Sequence, residues 1–470
     1  MTPTLLRGGL VFDGRVFAAN DVLFADGRIA AVGPGLPAPA GAVVIELDGD
    51  LVMPGLVNAH HHSPDNLNTG RAAAAPLELW SLGSVPSRPS APDELRAAAL
   101  FGAALMLRSG VTGVVDMVRL PGVLTVEPFD AVAGAYLDAG MRAAIAPVLT
   151  DLPVERTLPL AEWRDAPADA GAVAASLAVV EELARRWRGR DGRLDVHVAP
   201  SGPQRCSDEL LDGAVALSRR LGTRLHTHAL ETRSQAAQAR RRWGVPLIKH
   251  LERIGALGPA TVLAHLVWPE PEEIAAVAAS RTVVVHNPAS NATLGSGRAP
   301  IPDLLARGAT VALGTDAATC NDGLSMFEAM KLMTILHRPD EAEWGRWPTA
   351  VDALTAATRG GAAALGIDGL GAVTISAPAD LVVLDHEAAA FVPPNDLLHQ
   401  MVMRAGAEVV LRVYVAGRLV VDAGRVLTVD LPAVAAELCR IAASRSNGGP
   451  PDAALAGAIA EMLRAERGGA

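Results

Sequence analysis

The chain has little with which to cross a membrane, cross-link itself or bind a polyanion. No apolar run in its 470 residues reaches the ~18 to 20 needed to span a bilayer. The N-terminal stretch MTPTLLRGGLVFDG lacks a basic start, a long apolar core and a cleavage site, so no signal peptide is expected. The three cysteines, Cys206, Cys320 and Cys439, are odd in number and far apart. That argues against a disulfide framework and fits a reducing cytoplasm, where we expect the protein to reside. Positive charge is also short. Lys and Arg total 41 against 51 Asp and Glu, a net charge of −10, which argues against nucleic acid as the main partner and favours a small-molecule ligand. Lysine occurs only twice, at Lys249 and Lys331.

What remains is material for a large core. Half the residues are hydrophobic and 20% are charged. The length suits one large domain plus a smaller one, or one large barrel with additions. Residues 1–52 read as short β segments that alternate apolar and polar residues and turn at Asp13-Gly14 and Asp26-Gly27. From Met53 to about Ile375 the texture changes. Short apolar runs (TGVVDMV, AAIAPVL, LDVHVAP, TRLHTHA, ATVLAHLV, TVVVHNP, ATVALGTD) recur between helical patterns such as APDELRAAALFGAALMLRSG. Strand-helix alternation of this kind implies a parallel sheet. Some eight repeats in about 320 residues predict a closed (β/α)8 barrel, a TIM-like barrel. A doubly wound open sheet is the alternative, but no phosphate-cradling glycine motif supports it.

After Pro378 the β texture returns, in ADLVVLD and VVLRVYVAGRLVVDAGRVL. These strands are expected to join the N-terminal ones, so that 1–52 and 376–430 form a small β-sandwich domain with the 53–375 barrel inserted between its halves. Residues 431–470 form a C-terminal helical segment, with a loop or linker at 444–452 and a closing helix in AALAGAIAEMLRAER.

Histidine carries the chemistry. In GLVNAHHH, His60 and His62 stand at i and i+2 on a strand and project to one face, with His61 pointing away. Two imidazoles at a strand end can share a divalent metal; a solvated polar loop is the alternative. HTHALE repeats the pattern with His226 and His228, followed by Glu231. A hydrogen-bonded core histidine and a surface glutamate are the alternative. His265 follows the apolar run of VLAHLVW, and Asp316 ends another in VALGTDAATCND. Alone, His265 reads as structural and Asp316 as a helix cap. Together these residues fall at the ends of successive parallel strands, which converge where barrel active sites form.

The combination MPGLVNAHHH, PLELW, HTHALET, LAH, HNPASNATLGSGRAPI and LGTDAATCNDGLSMFEAMK resembles the amidohydrolase superfamily. The resemblance covers nearly the whole chain, and is to the branch holding cytosine deaminase, the S-adenosylhomocysteine/methylthioadenosine deaminases and the triazine hydrolases. It implies a metal-dependent hydrolase, foremost a hydrolytic deaminase of an amino-substituted nitrogen heterocycle. Hydrolysis of a C–Cl, C–N(alkyl) or cyclic amide bond is the alternative, and a catalytically silent assembly protein a third reading that the intact ligand set opposes. It implies one divalent ion, Zn2+ or otherwise Fe2+, on His60, His62, His228 and Asp316. Binuclear relatives bridge two ions with a carboxylated fourth-strand lysine, and neither Lys249 nor Lys331 falls on LDVHVAP. His265 matches the histidine that polarises or relays protons beside the bound water, and Glu231 the acid/base that serves the ring nitrogen. His226 is left as a neighbour, and His61 and His286 receive no role. The expected partners are a heterocyclic substrate and further copies of the chain, as a homodimer or higher homo-oligomer, with no membrane. The other zinc deaminase architecture needs H-x-E with P-C-x-x-C, and the chain has no such pair.

The substrate-facing stretches depart from the resemblance. The adenosine-type loop PHAPYTCS reads PSGPQRCS here, with Ser201 for the ring-contacting histidine and Gln204 for the tyrosine, followed by Arg205. The lysine of SNxKLxxG is Thr293. Glu78 and Trp80 in PLELW match a ribose-contacting element, although loop anchoring explains Trp80 equally well. The reaction type is therefore better marked than the substrate.

Overall fold

The computed structural model describes residues 2–71, 75–83, 88–153, 156–160, 170–339, 342–445 and 452–468. The chain opens with strands β1 (Thr4–Phe12), β2 (Phe17–Ala25), β3 (Arg28–Gly33), β4 (Val43–Glu46) and β5 (Leu51–Pro54). The turn between β2 and β3 is Asp26-Gly27, both at positive φ (49° and 77°), the conformation that a two-residue hairpin needs. Strands β6 (Leu56–His62), β7 (Val111–Val118), β8 (Arg142–Leu149), β9 (Leu194–Val196) and β10 (Ala199–Pro200) follow. Then come β11 (Leu225–Ala229), β12 (Thr261–His265), β13 (Val283–His286), β14 (Val311–Leu313) and β15 (Asp316–Ala317). The chain ends its strands with β16 (Leu381–Leu384), β17 (Val410–Val415), β18 (Arg418–Asp422) and β19 (Arg425–Val426).

The two ends of the chain share one nine-stranded sheet, ordered β19-β18-β17-β16-β5-β1-β2-β3 with β4 beside β1. Its junction is β5 against β16, antiparallel, with Val52 opposite Val383. Leu6, Val22, Phe24, Ile29, Val383 and Tyr414 are among the buried residues of its core.

Between those ends the strands pair in parallel, as β10-β8-β7-β6-β15 and β11-β12-β13-β14. β9 pairs with β8 as well. A parallel bridge between Val198 and Leu225 runs from one group to the other. All residues of β6, β7 and β8 are buried. That explains why these strands read as continuous apolar runs: a parallel sheet covered on both faces has no solvent side to alternate towards. The fourth run, LDVHVAP, is split into β9 and β10.

Helix α1 (Leu77–Gly83) lies in the loop after β6, and α2 (Pro92–Arg108) returns the chain to β7. α2 starts where its sequence dictates. Pro92 opens it, and the Glu94 carboxylate accepts the Ala91 N–H at 2.9 Å, satisfying a donor that the helix cannot pair itself. The closing helix spans Ala453–Gly468, and most of the expected 444–452 linker lies outside the described residues. Among the described residues, no helix is long and apolar enough to cross a membrane.

Candidate metal centre and active site

The first strand delivers its histidines as a period of two requires. His60, His61 and His62 are all buried, with His60 and His62 on one side of β6. His61 turns the other way, its Nδ1 3.2 Å from the Asp316 carbonyl. β14 passes close behind His60. A Cβ on Gly314 would stand 2.8 Å from that of His60 and 2.4 Å from Asn287 Oδ1, so the approach requires glycine.

Hydrogen bonds on the outer side of each ring set what the inner side offers. His62 Nδ1 donates to the Met117 carbonyl at 2.6 Å, and His228 Nδ1 donates to the Ser201 carbonyl. A carbonyl can only accept, so each Nδ1 carries a proton, and a ring that is neutral holds its lone pair on Nε2. These two Nε2 atoms lie 3.4 Å apart. Asp316 Oδ1 is 3.3 Å from His62 Nε2 and 3.6 Å from His60 Nε2. His60 Nδ1 is 3.1 Å from His226 Nε2, and His60 Nε2 has no hydrogen-bond partner among the described residues. One ligand atom each from His60, His62 and His228 falls within 4.8 Å of the others, as does one each from His60, His265 and Asp316. Burial pushes the His228 ring down to about 3, and burial likewise holds His60 well below the usual histidine range. Burial alone would raise the Asp316 carboxyl, but the His62 hydrogen bond and the surrounding imidazoles hold it well below the usual range. Burial would lower His62 too, but its hydrogen bond to Asp316 and that carboxylate's charge raise it. Neutral His60 and His228 and an ionised Asp316 are in the form that ligates a cation, and His62 takes that form when its Nε2 proton leaves.

Two further groups face this cluster. His265 Nε2 lies 3.8 Å from Glu231 Oε2 and 3.7 Å from Asp316 Oδ2. Its Nδ1 is held by Asn291 Oδ1 at 2.8 Å. Ser290 donates to Asp316 Oδ2 at 2.6 Å. Burial pushes the Glu231 carboxyl up to about 7. Leu230, His265, Leu266 and Asp316 all have positive φ, from 45° to 76°. For residues with a Cβ this costs about 1–3 kcal/mol each, and such strain gathers at functional sites.

A cavity opens onto these groups. Of the residues singled out in the sequence, His62, Glu78, Trp80, Ser201, Gln204, Arg205, His228, Glu231, His265 and Asp316 line it, and His60 lies fully buried behind His62. His226 stacks against His60, with ring centroids 5.3 Å apart. His286 lies away from the cavity, 5.9 Å from His337. Sequence reasoning gave no role to Asn291 and Ser290, although both sit in the quoted HNPASN stretch. It also missed Asp65, Arg119, Thr157 and Leu158, which are among the other residues of the cavity wall and stand in no motif.

Residues 51–420 match the model of the Amidohydrolase family. The chain is 34% identical over 443 residues to a 5-methylthioadenosine/S-adenosylhomocysteine deaminase of Syntrophobacter fumaroxidans, covering 92% of this chain and 95% of that one. Among solved structures, it is similar to an adenosine deaminase from Xanthomonas campestris with bound zinc. The TM-score is 0.81 and the identity 28%, over 93% of this chain and 97% of that one. It is also similar to the atrazine chlorohydrolase of Arthrobacter aurescens TC1 complexed with zinc. Here the TM-score is 0.84 and the identity 25%, over 93% and 100% of the two chains. With a family match over most of its length and a relative above 30% identity across nearly all of it, the chain belongs to the amidohydrolase family.

Proposed function

We propose that the chain is a hydrolytic deaminase of an amino-substituted nitrogen heterocycle, working with one divalent ion held by His60, His62, His228 and Asp316. The observation that carries this is the convergence of donor atoms: His62 and His228 Nε2 lie 3.4 Å apart, and Asp316 Oδ1 lies 3.3 Å from His62 Nε2 and 3.6 Å from His60 Nε2. A divalent ion placed among them would be shared by all four residues. The carbonyls of Met117 and Ser201 are the outer partners that orient ligating histidines. The nitrogen and oxygen donors suit Zn2+, with Fe2+ as the alternative. A divalent ion there supplies Lewis acidity, lowering the pKa of a water from 15.7 to about 7.

The chain's own residues do the rest. Asp316, held ionised, accepts the proton of the attacking water. Glu231, a buried carboxyl beside His265, gives its proton to the ring nitrogen, so the attacked carbon becomes tetrahedral without charge building on the ring. Positioned acid/base groups of this kind contribute roughly 10²- to 10⁴-fold. His265, its Nδ1 fixed by Asn291, presents Nε2 between Glu231 and Asp316 and relays protons there. The amino group leaves as ammonia. Glu78, Trp80, Ser201, Gln204 and Arg205 are read as the substrate-facing set. The relative and the solved structure named as deaminases favour this reaction over hydrolysis of a C–Cl, C–N(alkyl) or cyclic amide bond, which would use the same ion.

The parallel strands are read as one closed (β/α)8 barrel over 53–375, supported by the β15–β6 pairing and the Val198–Leu225 bridge. The small domain of 1–52 and 376–430 is read as a β-sandwich around its own core. Screening metal-loaded protein against purines, pterins, pyrimidines and triazines for released ammonia tests the function. Turnover of a ring that lost chloride or alkylamine without releasing ammonia would favour the alternative.

A further inference from the structure

We infer that the C-terminal helix, Ala453–Gly468, is a working part of the active site: Ile459, Leu463 and Glu466 are positioning residues that hold the outer wall of the substrate cavity. The inference rests on the deaminase reading only for its kinetic arm.

The wall comes from three pieces of chain. α1 gives Leu77, Glu78, Trp80 and Ser81, the segment 156–160 gives Thr157 and Leu158, and the stretch after β11 gives Glu231, Thr232 and Gln235. α1 is a two-turn helix in a long loop. Helices so short are marginal in water and need packing to persist. Its cavity side carries Glu78 Oε1 and Trp80 Nε1, both buried and without a hydrogen-bond partner among the described residues. Unpaired buried polar atoms on a cavity wall are groups that a ligand can satisfy.

The opposite side of α1 presents Leu79 and Leu82, three apart and so neighbours on the helix surface. They pack in one apolar cluster with Ile459 and Leu463 of the C-terminal helix and with Leu158 and Leu160. The same helix reaches the third piece through Glu466, whose carboxylate accepts the Ser234 hydroxyl at 2.9 and 3.1 Å. Ser234 is fully buried and lies three residues beyond Glu231, in the first turn of helix Arg233–Trp243. That helix ties down the second piece in turn: Gln238 donates to the Arg156 carbonyl at 3.2 Å and Arg241 to that of Leu160 at 2.6 Å. One element from the far end of the chain therefore touches all three parts of the wall. Its Leu463 packs with α1 and 156–160, whereas it reaches the stretch of Glu231 through Glu466, so loosening it at Leu463 would weaken the grip on substrate more than it moves the reacting groups.

The test uses full-length Leu463→Asp and Glu466→Gln proteins. Hydrogen exchange followed by peptide mass reads the coupling without any substrate. We expect residues 77–83 and 156–160 to lose protection in Leu463→Asp while β6, β7 and β8 keep theirs. With an amino heterocycle that the wild type turns over, KM should rise about tenfold or more while kcat stays within about threefold, with bound metal per chain unchanged. In a Trp80→Ala background, Leu463→Asp should add less than about twofold, because both changes act on one wall. Glu466→Gln, which keeps an acceptor, should move the same readouts in the same direction but less. Wild-type exchange in 77–83 for Leu463→Asp would overturn the inference. So would protection lost evenly over the parallel strands together with Glu466→Gln at wild-type KM. If the exchange pattern appears but no heterocycle releases ammonia, the deaminase reading fails and the positioning role stands.

Discussion

His62 and His228 turn their Nε2 atoms towards each other at 3.4 Å while the Nδ1 of each donates to a backbone carbonyl, those of Met117 and Ser201. The two outer bonds keep a proton on each Nδ1, which leaves both Nε2 atoms available to the proposed ion. Metal analysis of active protein should find one tight divalent equivalent per chain. His228→Ala should lower metal affinity by about tenfold to hundredfold or more, the scale on which even supporting residues of a metal site act. Two tight equivalents in active protein would contradict the assignment.

Glu231 makes a prediction about stability as well as rate. Its carboxyl is raised to about 7 from 4.5, so the folded chain keeps a proton that the unfolded chain releases. The sign follows: stability falls as pH rises from about 4.5 through 7, and the whole cost is present above 7. In metal-free protein, Glu231→Gln should therefore raise stability at pH 8 by about 1–3 kcal/mol and change it little at pH 4. The same variant, reloaded, should retain its metal and lose about 10²- to 10⁴-fold in turnover. Urea melts at the two pH values, with metal content and kcat alongside, check both halves.

Arg142 and Asp380 make a second commitment, far from the cavity. Two hydrogen bonds of 2.8 Å join them, and both are buried. Arg142 begins β8 of the parallel strands, and Asp380 immediately precedes β16 of the nine-stranded sheet, so the pair ties one to the other. Asp380→Ala leaves a buried guanidinium without its partner, which costs about 3–5 kcal/mol. A urea midpoint within error of wild type would refute this.

These relationships differ in how far the sequence exposes them. His60 and His62 were readable because a strand has a period of two, and β6 is buried on both sides. The junction of β5 with β16 was legible as a return of β texture near the chain's end. Arg142 and Asp380 were not, since nothing local marks residues 238 apart as partners. Nor was the role of Ile459 and Leu463: an amphipathic helix announces that it has an apolar face, but not what that face covers. Ser290 and Asn291 stood inside a quoted motif, yet a hydroxyl and an amide gain their roles only from where Asp316 and His265 point.

Ser201 lines the cavity at the position where the adenosine-type loop carries histidine, and substrate scope is predicted to turn on it. A serine hydroxyl is shorter and cannot bear positive charge. Leaving a buried polar edge unpaired costs ~1–3 kcal/mol, about a tenfold to hundredfold loss. Adenosine, methylthioadenosine and S-adenosylhomocysteine should be poor substrates, with kcat/KM below ~10⁴ M⁻¹s⁻¹, and Ser201→His should improve adenosine turnover. A different amino heterocycle, held partly by Gln204 or Arg205, should do better. Steady-state kinetics on wild type and variant decide between them.

The proposed ligand ring and Glu231 together should release ammonia from an amino heterocycle. The direct measurement is ammonia evolved by metal-loaded protein across the purine, pterin, pyrimidine and triazine panel, run beside Glu231→Gln. At least one compound should yield one ammonia per ring consumed, with the rate in Glu231→Gln down about 10²-fold or more. No ammonia from any ring with fully loaded protein, or release undiminished in Glu231→Gln, would contradict it.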